Sequence, residues 1–426
     1  MPSFLIILFT VVILAAGTAL AYTTGAVAVL VYYASGLQDY LALSPQLVFS
    51  QIDVFALMAM PLFMLVGEIM NRGKVTQALV DFAVIAAGRT RGALGHVNIL
   101  TSVFFAGISG SAMADSAALG NTLVPAMVNK GYDKVYAGAI TAASSIIGPI
   151  IPPSIILIFY GAIMRVDVAA LFAAGVLPGL ILAGALMIAN GYFAIRHNHP
   201  RGERLTRGEA LGAAKRALPA LVLPLIIVVG IVLGFMTPTE AAAVAVFAAV
   251  IVSAIYKTLS AKVLFESFKR TVVLTGAIFI LFAAASLVIY IAALTEFPSA
   301  IANSVVEIGL TGNSYIVLIV VVFILFGMVL DTLLGLALVA PVLVPVAISQ
   351  GADPVHMGIC VCLTLTVGLI SPPLGGSVLV VSAVTDTPYW SLFRWVTPFL
   401  LVEIAFLFLI ALVPEITLFL PRLLGL

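Results

Sequence analysis

The chain has 426 residues, 63% of them hydrophobic and 9% charged, with a net charge of +1. A soluble domain carries roughly 25% charged residues, so this composition excludes one. The near-zero net charge offers no surface for nucleic acid. Apolar segments of about 20 residues recur throughout, each long enough to cross a bilayer.

In chain order, membrane helices are predicted at 4–20, 22–40 and 54–70. Ala19-Leu20-Ala21 looks like a signal-peptide cleavage site, but Met1-Pro2-Ser3 carries no Lys or Arg, so 4–20 reads as a retained first helix. Residues 75–88, mixed polar and apolar, fit an arm helix along the interface. An apolar segment follows at 93–129, then helices at 135–164 and 168–195. The polar stretch 196–217 is too short for a core of its own and carries His197 and His199, expected to be solvated. Helices at 218–236, 239–256 and 272–294 come next, with further arms expected at 259–270 and 296–310. A second long apolar segment, 313–350, precedes helices at 355–384 and 396–420. Cys360 and Cys362 lie two apart on a helix and point to different faces, so they read as buried apolar residues rather than a disulfide. The four histidines show no metal-ligand spacing.

Basic residues cluster in four groups: Arg72, Lys74, Arg89 and Arg91; Lys130 and Lys134; six residues across 196–216; and Lys257, Lys262, Lys269 and Arg270. Arg394 stands alone. The positive-inside rule places all of these in the cytoplasm and both termini in the periplasm. That is possible only if 93–129 and 313–350 each enter and leave on one side, as re-entrant hairpins. Five crossings separate the two, so they enter from opposite faces.

Residues 107–153 align without a gap on 327–373, with thirteen identities that include four Gly pairs, three Pro pairs and the Asp133/Asp353 pair. The fold expected is an all-α polytopic membrane protein with two inverted-topology repeats, each holding a re-entrant hairpin and a broken helix. The fixed helices of the two halves would be 1–70 and 218–294. The hairpin, broken helix and following helix of each half would be 71–195 and 295–426, joined through the cytoplasmic loop 196–217.

The first hairpin centres on Ser109-Gly-Ser111, with Asp115 beyond it, and the following helix is interrupted at Gly148-Pro-Ile-Ile-Pro-Pro153-Ser154. The second half offers Gly327, Asp331-Thr332, and Gly368-Leu-Ile-Ser371-Pro-Pro-Leu374-Gly-Gly-Ser377. Proline removes N–H donors and frees carbonyls. Freed carbonyls and hydroxyls are hard oxygen ligands, able to replace the hydration shell of Na⁺ without a buried formal charge. Asp115 and Asp331 read either as caps of half-helices or as ion or substrate ligands. Glu68 and Glu403 are expected near helix ends in a solvated or interfacial role.

Gly107-Ile-Ser-Gly-Ser-Ala-Met-Ala-Asp115, Gly148-Pro-Ile-Ile-Pro-Pro-Ser154, Met236-Thr-Pro-Thr-Glu240-Ala-Ala-Ala and Gly368-Leu-Ile-Ser-Pro-Pro-Leu-Gly375 together resemble the large membrane subunit of tripartite ATP-independent periplasmic (TRAP) transporters. The resemblance covers essentially the whole chain. It implies Na⁺-driven import of a small organic anion, such as a C4-dicarboxylate or sialic acid, across the bacterial inner membrane by an elevator motion. It implies two partners, a small four-helix membrane subunit and a periplasmic substrate-binding protein, and no organic cofactor. Carried over residue by residue, one Na⁺ site falls on Ser109, Ser111, Gly148, Ile151 and Pro153, and the other on Gly327, Gly368, Ser371 and Leu374. The substrate would lie between the hairpin tips near Ser154, Asp331, Thr332 and Ser377. Two other readings remain open at this point. One is a stand-alone or two-component anion carrier of related fold. The other is an intramembrane serine protease using Ser109 in Gly107-Ile-Ser109-Gly110, which needs a His base and has only His356 near a helix.

Overall fold

Glycine and proline decide where the helices of this chain stop. A computed structural model describes residues 3–72, 75–202 and 206–426, so Lys74 and Arg204 of the basic groups lie outside the described residues. In the first half the helices are α1 (Ser3–Ala15), α2 (Leu20–Ala34), α3 (Ser44–Ile52), α4 (Ala59–Arg72), α5 (Val75–Ala87), α6 (Ala93–Ser109), α7 (Ala112–Asn129), α8 (Lys134–Ser144), α9 (Ile155–Met164) and α10 (Val168–Arg196). In the second they are α11 (Arg207–Val232), α12 (Pro238–Ile255), α13 (Ala261–Leu294), α14 (Phe297–Glu307), α15 (Asn313–Gly327), α16 (Thr332–Ser349), α17 (Pro354–Gly368), α18 (Gly376–Thr385), α19 (Tyr389–Leu412) and α20 (Glu415–Leu424). Among the described residues, seven helices are long and apolar enough to cross a membrane.

The two long apolar segments do not run straight through. Each breaks in the middle, between α6 and α7 and between α15 and α16, and the chain returns on itself. Leu94 N–H at the start of α6 donates to the Tyr132 hydroxyl just past the end of α7. Tyr315 near the start of α15 donates to the carbonyl of Leu343 late in α16 at 3.1 Å. Each segment is therefore a helical hairpin whose open ends meet.

The repeat is visible as matched local chemistry. Asp133 caps α8 and Asp353 caps α17, each accepting backbone N–H bonds from the first turn. Gly131 and Gly351, in the turns just before, have φ of +88° and +95°, which a residue with a Cβ resists. The Pro152–Pro153 and Pro372–Pro373 bonds are both cis. The halves are also inverted. Lys134, opening α8, donates to the carbonyl of Asp386 at the end of α18, and Tyr160 late in α9 donates to the carbonyl of Pro354 at the start of α17. The two broken helices thus lie side by side and antiparallel.

The basic groups come together as the topology requires. Glu68 pairs with Arg72 and Arg270, Asp81 with Arg216, and Arg91 with Asn198, so three of the four basic stretches meet at one end of the molecule. Around the hairpins, α8 and α17 form the densest core, with every residue from His356 to Gly368 buried. By contrast, α11, α12 and α13 leave large apolar side chains such as Leu225, Phe247 and Phe265 exposed. Such faces suit lipid or a partner subunit.

Several sequence expectations change. Helix 22–40 ends at Ala34, where Gly36 takes φ +69°, and an unforeseen short helix, α3, follows. The arm at 259–270 and the helix at 272–294 are one 34-residue helix, α13, about 51 Å long, because no Pro interrupts 261–294 and Ser260 caps its start. The last expected helix, 396–420, is split by Pro414 into α19 and α20. Glu403 sits mid-helix in α19, 1% exposed, with no partner for either oxygen among the described residues, so it is not interfacial. The Met236-Thr-Pro-Thr-Glu240 motif forms a capping box: Thr237 and Glu240 bond each other's backbone N–H, and Pro238 takes the first helical position.

His199 is not solvated either. Residues 198–202 form a strap across the open end of hairpin 1, with Gly92 N–H bonded to Pro200 O at 3.1 Å and Gly202 N–H to Thr90 O at 3.2 Å. Tyr132 donates to Pro200 O, and His199 packs on the rings of Tyr132 and Tyr136. Burial, reinforced by nearby His197 and opposed by Asp133, lowers the His199 pKa from its ordinary 6.5. A lowered folded-state value means the unfolded chain takes up the proton first as pH falls. The stability contributed by neutral His199 is therefore complete above pH 6.5 and is lost on acidification toward the folded-state value. His199→Gln is expected to flatten the acid-side decline in thermal stability of the purified protein between about pH 7 and pH 5. An unchanged pH profile would remove His199 as a contributor.

Candidate functional site

At the tip of hairpin 1, Gly110 takes φ +60° and ends α6, and Ser111 caps α7 by accepting from Ala114 N–H. Ser109 Oγ bridges the turn, accepting from Ser111 N–H at 3.2 Å. The tip lies directly on the break of the following helix: a Cβ on Gly110 would stand 2.8 Å from Pro153 O. In that break Ser154 caps α9 and its hydroxyl donates to Pro149 O. The carbonyls of Ile151 and Pro153 accept no hydrogen bond from any described residue. Leu157 N–H, which a continuous helix would aim at Pro153 O, is taken instead by the Ser154 hydroxyl.

The second half repeats the arrangement. Asp331 occupies the position of Ser111 and caps α16, accepting from Leu333 N–H at 3.0 Å. The end of α15 sits against the next break, since a Cβ on Gly368 would lie 2.7 Å from Gly327 O. Leu374 N–H reaches Met328 O at 3.4 Å, while the Leu374 carbonyl has no donor among the described residues. Ser371 Oγ donates to Val367 O at 3.1 Å and keeps its lone pairs. Each half thus gathers a hairpin tip, a pair of close-packed glycines or a glycine on a carbonyl, and bare main-chain oxygens.

A cavity of about 480 Å³ lies between the tips, within the range of small-molecule sites. Ser109, Ser111, Asp331 and Thr332 line it, with Pro149 and Ile155 from the first break. The N-termini of α7 and α16 both open onto it, so two positive dipole ends face the same space. Ser154 and Ser377 do not line it; both are buried in the packing beside it. Asp115 is also off the wall. It is fully buried in the first turn of α7, both oxygens lack hydrogen-bond donors in the described residues, and a Cβ on Gly148 would overlap its carboxylate. Asp115 therefore points into the packing against Gly148 rather than into the cavity. Asp331 is the cap of the pair.

One feature escaped the sequence reading. Asn98 and Ser102 on α6 bond Thr141 and Ser144 on α8 in a buried polar ladder, with links of 2.6 to 3.0 Å. The residues are spaced i, i+4 and i, i+3, which is the only signal that could have exposed them. Their counterparts in the second repeat, Leu318, Val322, Val361 and Thr364, do not form it. The ladder ties hairpin 1 to its broken helix without relying on lipid-facing contacts.

Inverted repeats that close broken helices on a central cavity define a secondary membrane transporter. Comparison with known proteins agrees. Residues 5–416 match the family described as the tripartite ATP-independent periplasmic transporter, DctM component, and the chain belongs to that family. It is 37% identical over 373 residues to the sialic acid TRAP transporter large permease protein SiaM of Vibrio cholerae, covering 87% of each chain. It is 35% identical over 382 residues to the C4-dicarboxylate TRAP transporter large permease protein DctM of Pseudomonas aeruginosa, covering 88% of each. The fold is also that of the Alcanivorax borkumensis YdaH transporter, with a TM-score of 0.66 at 13% identity, over 97% of this chain and 98% of that one. The chain is a transporter permease and not an enzyme, which disposes of the protease reading.

The close approach at Gly368 supplies a direct check. Gly368→Ala should destabilise the purified protein by about 1–3 kcal/mol through backbone displacement at Gly327. Gly184→Ala, where nothing lies within 4 Å of the added carbon, should change stability by no more than ~1 kcal/mol, on the favourable side. Equal effects of the two in thermal unfolding would contradict the packing described here.

Proposed function

We propose that this protein imports a small carboxylate anion across the bacterial inner membrane, coupled to Na⁺. It would act with a small four-helix membrane subunit and a periplasmic binding protein that delivers the cargo. The names of its relatives, a sialic acid permease and a C4-dicarboxylate permease, support a carboxylate cargo. The positive-inside rule supports a cytoplasmic basic face and periplasmic termini.

The reading is carried by one observation: carbonyls without donors at Ile151, Pro153 and Leu374 lie at two helix breaks that pack against the hairpin tips, the first tip carrying Ser109 and the second break carrying Ser371. Oxygens in that arrangement suit Na⁺, carried as co-substrate. Ser109, Ser111, Gly148, Ile151 and Pro153 would hold one ion, with Asp115 beneath supplying a buried negative charge. Gly327, Gly368, Ser371 and Leu374 would hold the second. Cations there order the broken backbone and add to the positive potential at the α7 and α16 N-termini, where the anion binds near Asp331 and Thr332. Net neutralisation lowers the cost of moving the anion through hydrocarbon. The cavity borders Glu68 and Asn71 at the basic end, which fits an inward-facing state of an elevator in which hairpins and broken helices move against α2, α4, α12 and α13.

Ser109→Ala and Ser371→Ala should each raise the Na⁺ concentration for half-maximal uptake about tenfold in proteoliposomes, the loss of one oxygen ligand. Radiolabelled N-acetylneuraminate and succinate serve as probes. Unchanged Na⁺ dependence in both variants would take these hydroxyls out of the ion sites, and uptake independent of Na⁺ would end the coupling proposal.

A further inference from the structure

The cavity wall carries a charge of the wrong sign for an anion. Glu68 lines it one residue beyond Gly67, whose added Cβ would stand 3.3 Å from Ile108 O, so this step of α4 lies against the tip of hairpin 1. A bare carboxylate there would repel departing cargo. It is not bare. Glu68 Oε1 lies 3.0 Å from Arg270 Nε and Oε2 lies 3.7 Å from Arg72 Nε, so one negative and two positive charges leave the group at +1.

The two sides of the pair differ in access. The Glu68 side chain is 15% exposed and that of Arg270 is 62% exposed. Arg270 engages Glu68 through Nε alone, and no described residue accepts from its terminal nitrogens. It stands one helical turn before Leu274, which lines the cavity. A half-used guanidinium at the mouth of a cavity is a fork suited to a second carboxylate.

We propose that Arg270, with Arg72, is an exit site for the carboxylate of the transported anion, and that Glu68 is the internal counter-ion that the anion displaces and that re-forms its pair when the anion leaves. This rests on the carboxylate-import reading above. The same guanidinium could hold a lipid phosphate, and the test separates the two.

The full chain in phosphatidylcholine nanodiscs is treated with phenylglyoxal, and modification of Arg270 is read by peptide mass spectrometry. Succinate or N-acetylneuraminate at about 10 mM should slow that modification about threefold, while chloride of equal ionic strength should not. Glu68→Gln should speed it by a similar factor. No protection by either carboxylate overturns the exit site, as does protection that appears only when phosphatidylglycerol is added. Uptake into proteoliposomes with the partner subunits gives the second arm. Arg270→Gln should slow uptake about tenfold, Arg270→Lys should restore most of it, and Glu68→Gln with Arg270→Gln should outperform Arg270→Gln alone, because the charge balance returns. A double variant no faster than the single one would mean the pair only holds α4 to α13, and overturns the proposal. Protection without uptake of either probe removes both as cargo and leaves the anion site standing; uptake without protection leaves import standing and removes the site.

Discussion

Hydrocarbon offers no hydrogen bond to an exposed peptide group, and everything at the centre of this protein follows from how it meets that constraint. Four helices are interrupted in the middle of the molecule, and each interruption is closed by protein. Ser111, Ser154 and Asp331 cap three of the half-helices with side-chain oxygens. Ser377 N–H returns to Leu369 O across the fourth break. Hairpin tips cover the breaks so closely that only glycine fits at Gly110 and Gly368. The donors are thereby satisfied, and a few acceptors, chiefly at the proline pairs, are left over. The polar surplus of the breaks is therefore one of acceptors, not of donors.

The two repeats solve the same backbone problem with different side chains. Position 111 is Ser and position 331 is Asp, yet both are caps. Position 115 is a buried Asp and position 335 a glycine. Gly107 and Gly327 match in sequence but not in neighbours, since the first faces Pro224 of α11 and the second faces the backbone of Leu365. Such divergence puts the buried charge of the two halves in different places, at Asp115 beside the first hairpin tip and at Glu403 inside α19. A transporter needs symmetry of path but not of charge, and the inverted repeat supplies the first without imposing the second.

Charge outside the hydrocarbon is organised just as economically. The basic stretches hold the chain together, through Arg91 on the strap, Arg216 on Asp81, and the pairing of Arg72 and Arg270 with Glu68. Exposed pairs of this kind contribute little stability each. Their value lies in position, since they join helices distant in sequence at one end of the molecule.

Composition, the in-register Gly and Pro pairs and the spread of Lys and Arg were enough to read an all-helical membrane protein, two inverted hairpins and the breaks at Gly110, Pro152 and Pro372. Those features are local: proline lacks an N–H, glycine lacks a Cβ, and neither depends on what packs nearby. The family was legible for the same reason, because its motifs are the breaks. Tertiary packing decided the rest. Whether Asp331 caps a helix while Asp115 is buried against Gly148, whether His199 is covered by tyrosines, and whether Glu403 is sealed inside α19 all depend on surfaces contributed by helices distant in sequence. A single polar residue in an apolar run carries no record of the partner it will meet, and only the folded chain brings that partner to it.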